Sequence, residues 1–210
     1  MPQMLIDPSV VQKTFSMLTL DASNRNLLVS LTPQEEIHLP GLSLAPGYRL
    51  IRVNNRLHHE VPQQHFELAV VNDLTQEVVY YNRVIFQPDS FLKHRPVTQI
   101  LVWRTQKPKH RGALRDVAGK IFTQYLLENY DVVVSDRSQT TDGMSFWHAR
   151  FFDALHSDMY LYGYDMLTCE LREIETEIDV QTQTDWLWSD QDKHQDRLAI
   201  VSKFPLPVSP

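Results

Sequence analysis

The sequence predicts an α/β (α+β) fold with a mixed central sheet, and three observations carry that prediction. Short runs rich in β-branched and aromatic residues recur from Tyr48 onward, among them FELAVVN and VVYYNRVIFQ. Apolar residues at Leu114, Val117, Ala118, Ile121 and Tyr125 keep the three–four spacing of an amphipathic helix. That helix lies between two strand-like runs, at Ile100 and at Asp131–Ser135. Strand, crossover helix and strand in this order imply a parallel pair with a right-handed connection.

Composition narrows the class. A chain of 210 residues with 42% hydrophobic content is one large domain or two small ones, with enough apolar residues for a core. The net charge of −6 argues against a protein coated by nucleic acid. Lys and Arg nevertheless concentrate between Lys93 and Arg115, while Asp and Glu are dense from Glu170 onward. Cys169 is the single cysteine, so intramolecular disulfides and paired-cysteine zinc sites are excluded. A lone thiol fits a reducing compartment. The opening MPQMLIDPSVVQK has neither the basic leader nor the apolar run of a signal peptide. No stretch approaches the roughly 20 apolar residues of a membrane span. A cytoplasmic protein without a membrane partner is therefore expected.

The elements follow in order. Asp7-Pro8-Ser9 is a helix start, followed by Val10, Val11, Phe15, Leu18 and Leu20 on an amphipathic stretch. Pro33, Pro40, Gly41, Pro46 and Gly47 cut the following segment into turns, so residues 1–47 read as a helix and an irregular arm, with LLVSL as its one candidate strand. YRLIRV is a strand. Phe66–Asn72 and Val78–Gln87 form an antiparallel hairpin closed by residues 73–76. A polar link, Pro88–Pro96, leads to the strand at Ile100. After the crossover helix and the strand ending at Ser135, SFWHARFFDAL is a second helix and MYLYGYD a further strand. Leu171–Val180 alternates as a strand would, TDWLWSDQDKHQD reads as loop, and RLAIVSKF closes the sheet.

The stretch from Ile100 to Asp136 holds the main chemical signal. Lys107, Lys109, His110 and Arg111 crowd before Gly112, where a loop is expected to open directly into the helix. Unpaired first-turn N–H groups, a glycine that permits close approach and flanking cations would make an anion cradle. The alternative is a solvated basic turn. Neither GxxxxGK[ST] nor GxGxxG occurs, which removes a nucleoside-triphosphatase loop and disfavours a dinucleotide site.

The order of elements from about Tyr48 to Phe204 resembles the GNAT acyltransferase superfamily. There a Q/R-x-x-G-x-G/A run holds the pyrophosphate of acetyl-CoA on its backbone amides. The matching run here is Lys109-His110-Arg111-Gly112-Ala113-Leu114, with Gly112 at the central place and Leu114 where a small residue is usual. The run VVVSDRSQTTDGMSFW, then an aromatic helix and YLYGYD, is similar to phage-type GNAT-like proteins through Ser135, Asp136, Gln139, Thr140, Gly143 and Trp147. The resemblance implies residues 48–210 as a GNAT-like domain with acetyl-CoA or another acyl-CoA as cofactor. Val102, Trp103, Arg104, Lys109, Arg111, Gly112, Ala113 and Leu114 would contact it. A small-molecule or macromolecular amine would attack the thioester directly.

Such a transfer needs a base for the ammonium, an oxyanion donor and an acid for the thiolate. Asp136 or Glu67 is the candidate base, and Ser135, Tyr160 or Tyr162 the candidate acid. Against these stand structural roles: an Asx-type turn at Ser135-Asp136, and packing for Tyr160, Tyr162 and Tyr164 on one strand face. Trp147 reads as core or pocket wall. His58, His59, Glu60 and His65 do not make a metal site, because adjacent histidines on a strand face opposite ways. His148 and Asp153, five apart on a helix, do not face each other. Trp186 and Trp188 pin a loop. Two other functions stay open: a catalytically inactive GNAT-like binding or inhibitor module of phage origin, and nucleic-acid base modification with residues 93–115 on the phosphate backbone. Residues 1–47 would cover the substrate cleft or mediate a homodimer.

Overall fold

The computed structural model describes residues 8–86, 96–130, 132–135, 141–190 and 194–206, without the side chains of 8–12, 15, 99–101 and 132. The chain divides into two compact units. The first holds Ile6–Phe86 and Gln99–Tyr125, and the second Met1–Leu5, Gln87–Thr98 and Leu126–Pro210. Strand pairing is mostly antiparallel.

In the first unit, β1 (Glu35–Glu36), β2 (Tyr48–Asn54), β3 (His65–Asn72) and β4 (Glu77–Phe86) pair antiparallel in chain order. The predicted hairpin is β3–β4. The Asn72 side chain shapes its turn, its Oδ1 accepting the N–H groups of Leu74 and Thr75 at 2.9 Å each. Strand β5 (Pro96–Arg104) lies next to β4, and just past its end Thr105 N–H donates to the Val79 carbonyl at 2.9 Å.

One face of this sheet is covered by α1 (Pro8–Thr19) and α2 (Asp21–Ser30). Their Leu18, Leu27 and Leu28, with Leu31 just beyond, pack on Ile51, Val53, Ala69, Val71, Val78, Tyr81 and Trp103. The irregular arm expected here is therefore corrected: residues 21–30 are helical and LLVS belongs to α2. Asn24 explains the difference. Its amide donates to the carbonyls of Leu18 (3.0 Å) and Val78 (2.9 Å), and its Oδ1 accepts Val78 N–H at 2.8 Å. A tertiary partner on β4 thus replaces the apolar stripe that local sequence lacks.

The connection from β5 to the next strand runs through a 3-10 turn (Pro108–His110), turns over 111–116, α3 (Val117–Lys120), a π-helical stretch (Ile121–Leu126) and α4 (Leu127–Tyr130). Of the predicted stripe, Leu114, Val117 and Ile121, with Phe122 and Leu126 beside them, are buried, while Ala118 and Tyr125 are half-buried.

In the second unit, β6 (Val132–Val134) runs parallel to the start of β5, Pro96 facing Val132 and Thr98 facing Val134. Then come α5 (Thr141–Leu155), β7 (Tyr160–Asp165), β8 (Glu170–Glu173), α6 (Glu177–Trp188) and β9 (Arg197–Ser202). The closing strand β9 inserts between β6 and β7, and β8 pairs with β7. Val134, Tyr162, Tyr164, Leu171, Leu198, Ile200 and Leu206 form its core. The loop expected around Trp186 and Trp188 is instead the end of α6. A capping box starts that helix: Thr176 Oγ1 accepts Asp179 N–H, and the Asp179 carboxylate accepts Thr176 N–H. Ile178 is 81% exposed while Ile174 and Val180 are buried, which a strand with all three on one face would not allow.

Candidate functional site

The basic loop folds differently from the expected cradle. The helix begins at Val117, not at Gly112, and Asp116 before it is left-handed at φ 59° with no side-chain cap. Gly112 sits on an exposed turn, and a Cβ built on it would meet nothing within 4 Å. Leu114 is buried and Trp103 belongs to the first unit's core, so both contribute to packing. Val102 and Ala113 are half-buried, and Arg104 and Arg111 exposed.

What reorganises the loop is a buried carboxylate that the sequence did not connect to it. Glu77, at the start of β4, accepts Lys109 Nζ at 2.7 Å, Lys107 Nζ, and His110 Nε2 at 3.0 Å. His110 is 1% exposed, and its other ring nitrogen, Nδ1, lies 2.7 Å from the hydroxyl of half-buried Tyr48. Lys107 also reaches Asp21 on α2 at 2.7 Å. Burial opposes the charge on Glu77, yet the hydrogen bonds from Lys107 and Lys109, with His110 adding to them, outweigh it and hold the carboxyl well below its usual range. Hydrogen bonding to Asp21, then to Glu77, raises the Lys107 ammonium, and the same Lys107 contact lowers Asp21. Glu77, Lys107 and His110 wall a cleft of about 260 Å³ whose other side is Leu18, Thr19, Asn24, Val78, Val79, Thr105 and Gln106.

Two of the four basic residues before Gly112, Lys107 and Lys109, are therefore already paired with carboxylates, and a third, His110, is buried with both ring nitrogens engaged. The donors that remain lie further along. Among the described residues no hydrogen bond uses the N–H groups of Gly112 or Ala113, and no ion pair engages Arg111 or Arg115, both exposed. Two backbone donors and two guanidinium groups on one exposed turn, with open space over Gly112, suit a phosphate-bearing ligand.

The candidate acid–base residues fall in both units. Glu67 is fully buried in the first unit, where it takes a bidentate pair from Arg56 (2.6 and 2.7 Å) and a short hydrogen bond from Tyr81. Burial is the main cause that pushes the Tyr81 hydroxyl above its ordinary range. Ser135 and Tyr160 belong to the second unit. Ser135 is buried and extends the β6–β9 ladder: its N–H donates to Ala199 O at 2.8 Å, and its Oγ accepts Ala199 N–H at 2.9 Å. Tyr160 is 37% exposed at the start of β7, whereas Tyr162 and Tyr164 are core residues. The Tyr162 hydroxyl accepts Leu206 N–H at 3.0 Å. Asp136, Gln139 and Thr140 lie outside the described residues, as does Lys93 at the start of the basic cluster. Trp147 is buried on α5.

His58 and His59 lie in the turn after β2, not on a strand, with ring centroids 3.8 Å apart. His65 is buried, its Nδ1 donating to Gln63 O at 2.8 Å and its Nε2 accepting Leu57 N–H at 3.1 Å. Asp153 pairs with Arg150 at 2.6 Å while the His148 ring meets Phe152 edge-on. Among the described residues no helix is long and apolar enough to cross a membrane. Compared with known proteins, the chain matches no protein-family model, and no characterised protein is significantly similar to it.

Proposed function

We propose that this chain is an acyl-CoA-dependent N-acyltransferase of GNAT type, whose amine acceptor attacks the thioester directly. The observation that carries the reading is the connection between β5 and β6. A parallel pair, Pro96–Thr98 with Val132–Val134, is joined through a loop whose Gly112 and Ala113 N–H groups, beside Arg111 and Arg115, find no hydrogen-bond partner among the described residues. The chain order of β5, crossover helix, β6, α5, β7 and the closing strand β9 is the order of elements that suggested the family. Arg111, Gly112, Ala113 and Arg115 would hold the phosphates, and the bound acyl-CoA would supply an activated thioester.

Calorimetry with CoA tests this. Wild-type protein is expected to bind CoA in the micromolar range. Gly112→Glu is expected to abolish binding at an unchanged melting temperature, because the new Cβ meets no neighbour and the backbone there is not left-handed. Well-folded wild-type protein that binds no CoA sinks the proposal. Binding without turnover is the second reading, favoured by the engagement of Glu67 with Arg56 and of Ser135 with Ala199. CoA held but acetyl-CoA never consumed would select it.

A further inference from the structure

We infer that Tyr48, His110 and Glu77 form a proton relay that acts as the general base of the proposed transfer, taking a proton from the acceptor amine at Tyr48 Oη. This rests on the acyl-transfer reading. An alkyl amine near neutrality is an ammonium and must lose a proton before its nitrogen can attack. Of the two carboxylates expected to accept it, Glu67 is already held by Arg56 and Tyr81, and Asp136 lies outside the described residues.

The geometry assigns each member a part. A carboxylate only accepts, so the 3.0 Å contact to Glu77 places a proton on His110 Nε2. In the neutral ring Nδ1 is then bare, and at 2.7 Å it accepts the Tyr48 O–H. A half-buried hydroxyl, a buried imidazole and an ionised carboxylate in line follow the logic of an activated hydroxyl, its base and the group that orients the base. The charged groups around the imidazole are Glu77 from β4 and, on that same carboxylate, Lys107 and Lys109 from the loop, with Asp21 of α2 on Lys107. Glu77 offsets the imidazolium as it forms. Lys107 and Lys109 share that carboxylate with the imidazole. Tyr48 thus touches the acceptor, and Glu77 is a positioning residue.

The step balances. The ammonium N–H bond breaks as its proton passes to Tyr48 Oη, and the Tyr48 proton passes to His110 Nδ1. The freed nitrogen pair forms the new C–N bond, and the C–S pair leaves on sulfur. The second amine proton ends on that sulfur, giving amide, thiol and a protonated His110, whose Nδ1 proton returns to water through the half-buried Tyr48 hydroxyl.

The test uses the full chain with acetyl-CoA and a set of primary amines (ethanolamine, spermidine, a lysine-containing peptide), reading thiol release. Ring ¹⁵N NMR of His110 and calorimetric CoA affinity are read alongside, independently of turnover. In wild type, the Nε2–H form of His110 and a rate rising with pH near neutrality are expected. Tyr48→Phe should lower the rate by about 10²-fold or more with CoA affinity unchanged, and should flatten that pH profile. Glu77→Gln should lower the rate and weaken the preference of His110 for the Nε2–H form. A Tyr48→Phe rate within about two-fold of wild type, a neutral His110 protonated at Nδ1, or parallel loss of CoA affinity in Tyr48→Phe overturns the relay. Wild-type protein that binds no CoA refutes the acyl-transfer reading itself.

Discussion

Replacing Glu77 by Gln keeps the side chain's size and one acceptor oxygen but removes the charge that three donors share. The His110 bond is the buried one, with side chains 1% and 10% exposed, and losing its charge assistance costs about 1 kcal/mol. Lys107 and Lys109 are 38% and 51% exposed, so solvent screens their pairs and each adds at most about 1 kcal/mol. The expected loss is therefore about 1–3 kcal/mol at pH 7, read from urea unfolding of both proteins at equal slope. The pH dependence follows from the direction of the shift. The folded-state carboxyl lies below its unfolded value, so its stabilisation is complete above about pH 4.3 and is lost as pH falls through the folded value. The gap between wild type and variant should then narrow steadily below about pH 4. Molar salt, with a screening length of about 3 Å, should remove the lysine part and leave the histidine part. A loss under about 0.5 kcal/mol at pH 7, or one that stays constant from pH 7 to pH 2, would refute the role given to this carboxylate.

Two further predictions address the frame around the site. Asn24→Ala removes three hydrogen bonds and leaves both backbone groups of Val78 without their side-chain partner, so a loss of about 2–4 kcal/mol is expected in urea unfolding, beyond the small gain in helix propensity. A loss below about 1 kcal/mol would mean that α2 is not held through this residue. At Gly163 on β7 a new Cβ would lie 2.7 Å from the Trp186 ring, whose indole is covered by the guanidinium groups of Arg172 and Arg197 at 4.2 and 4.5 Å. Gly163→Ala should cost about 1–3 kcal/mol, and Trp186→Leu in the same chain should recover most of it in a double-mutant cycle. Strict additivity of the two changes would contradict that contact.

Much of the sheet was legible because its causes are local. Val78–Gln87 and Phe66–Asn72 are dense in β-branched and aromatic residues and flank a short polar turn, so the hairpin followed from the chain itself. The parallel β5–β6 pair followed from a strand too short to be anything else after a helical stripe. At α6 the needed signal was present in Thr176 and Asp179, a box at the right spacing. The alternation of Ile174, Ile178 and Val180 was the misleading cue, because Ile178 is a solvent-facing helical residue.

The candidate site divides along the same line. A basic loop before Gly112, an apolar stripe from Leu114 to Leu126, and a strand–helix–strand order that implies a parallel or mixed sheet could all be read from the chain alone. Only the tertiary structure decided what the loop's cations do. Glu77 and Tyr48 lie 33 and 62 residues from His110 in the chain, and no periodicity or spacing links positions that far apart. Burying His110 demands a partner for each ring nitrogen, and β2 and β4 supply them. That demand draws in the loop, spends Lys107 and Lys109 on a carboxylate and delays the helix to Val117. Among the described residues it leaves the Gly112 and Ala113 N–H groups and the Arg111 and Arg115 side chains without a hydrogen-bond or ion-pair partner on that turn.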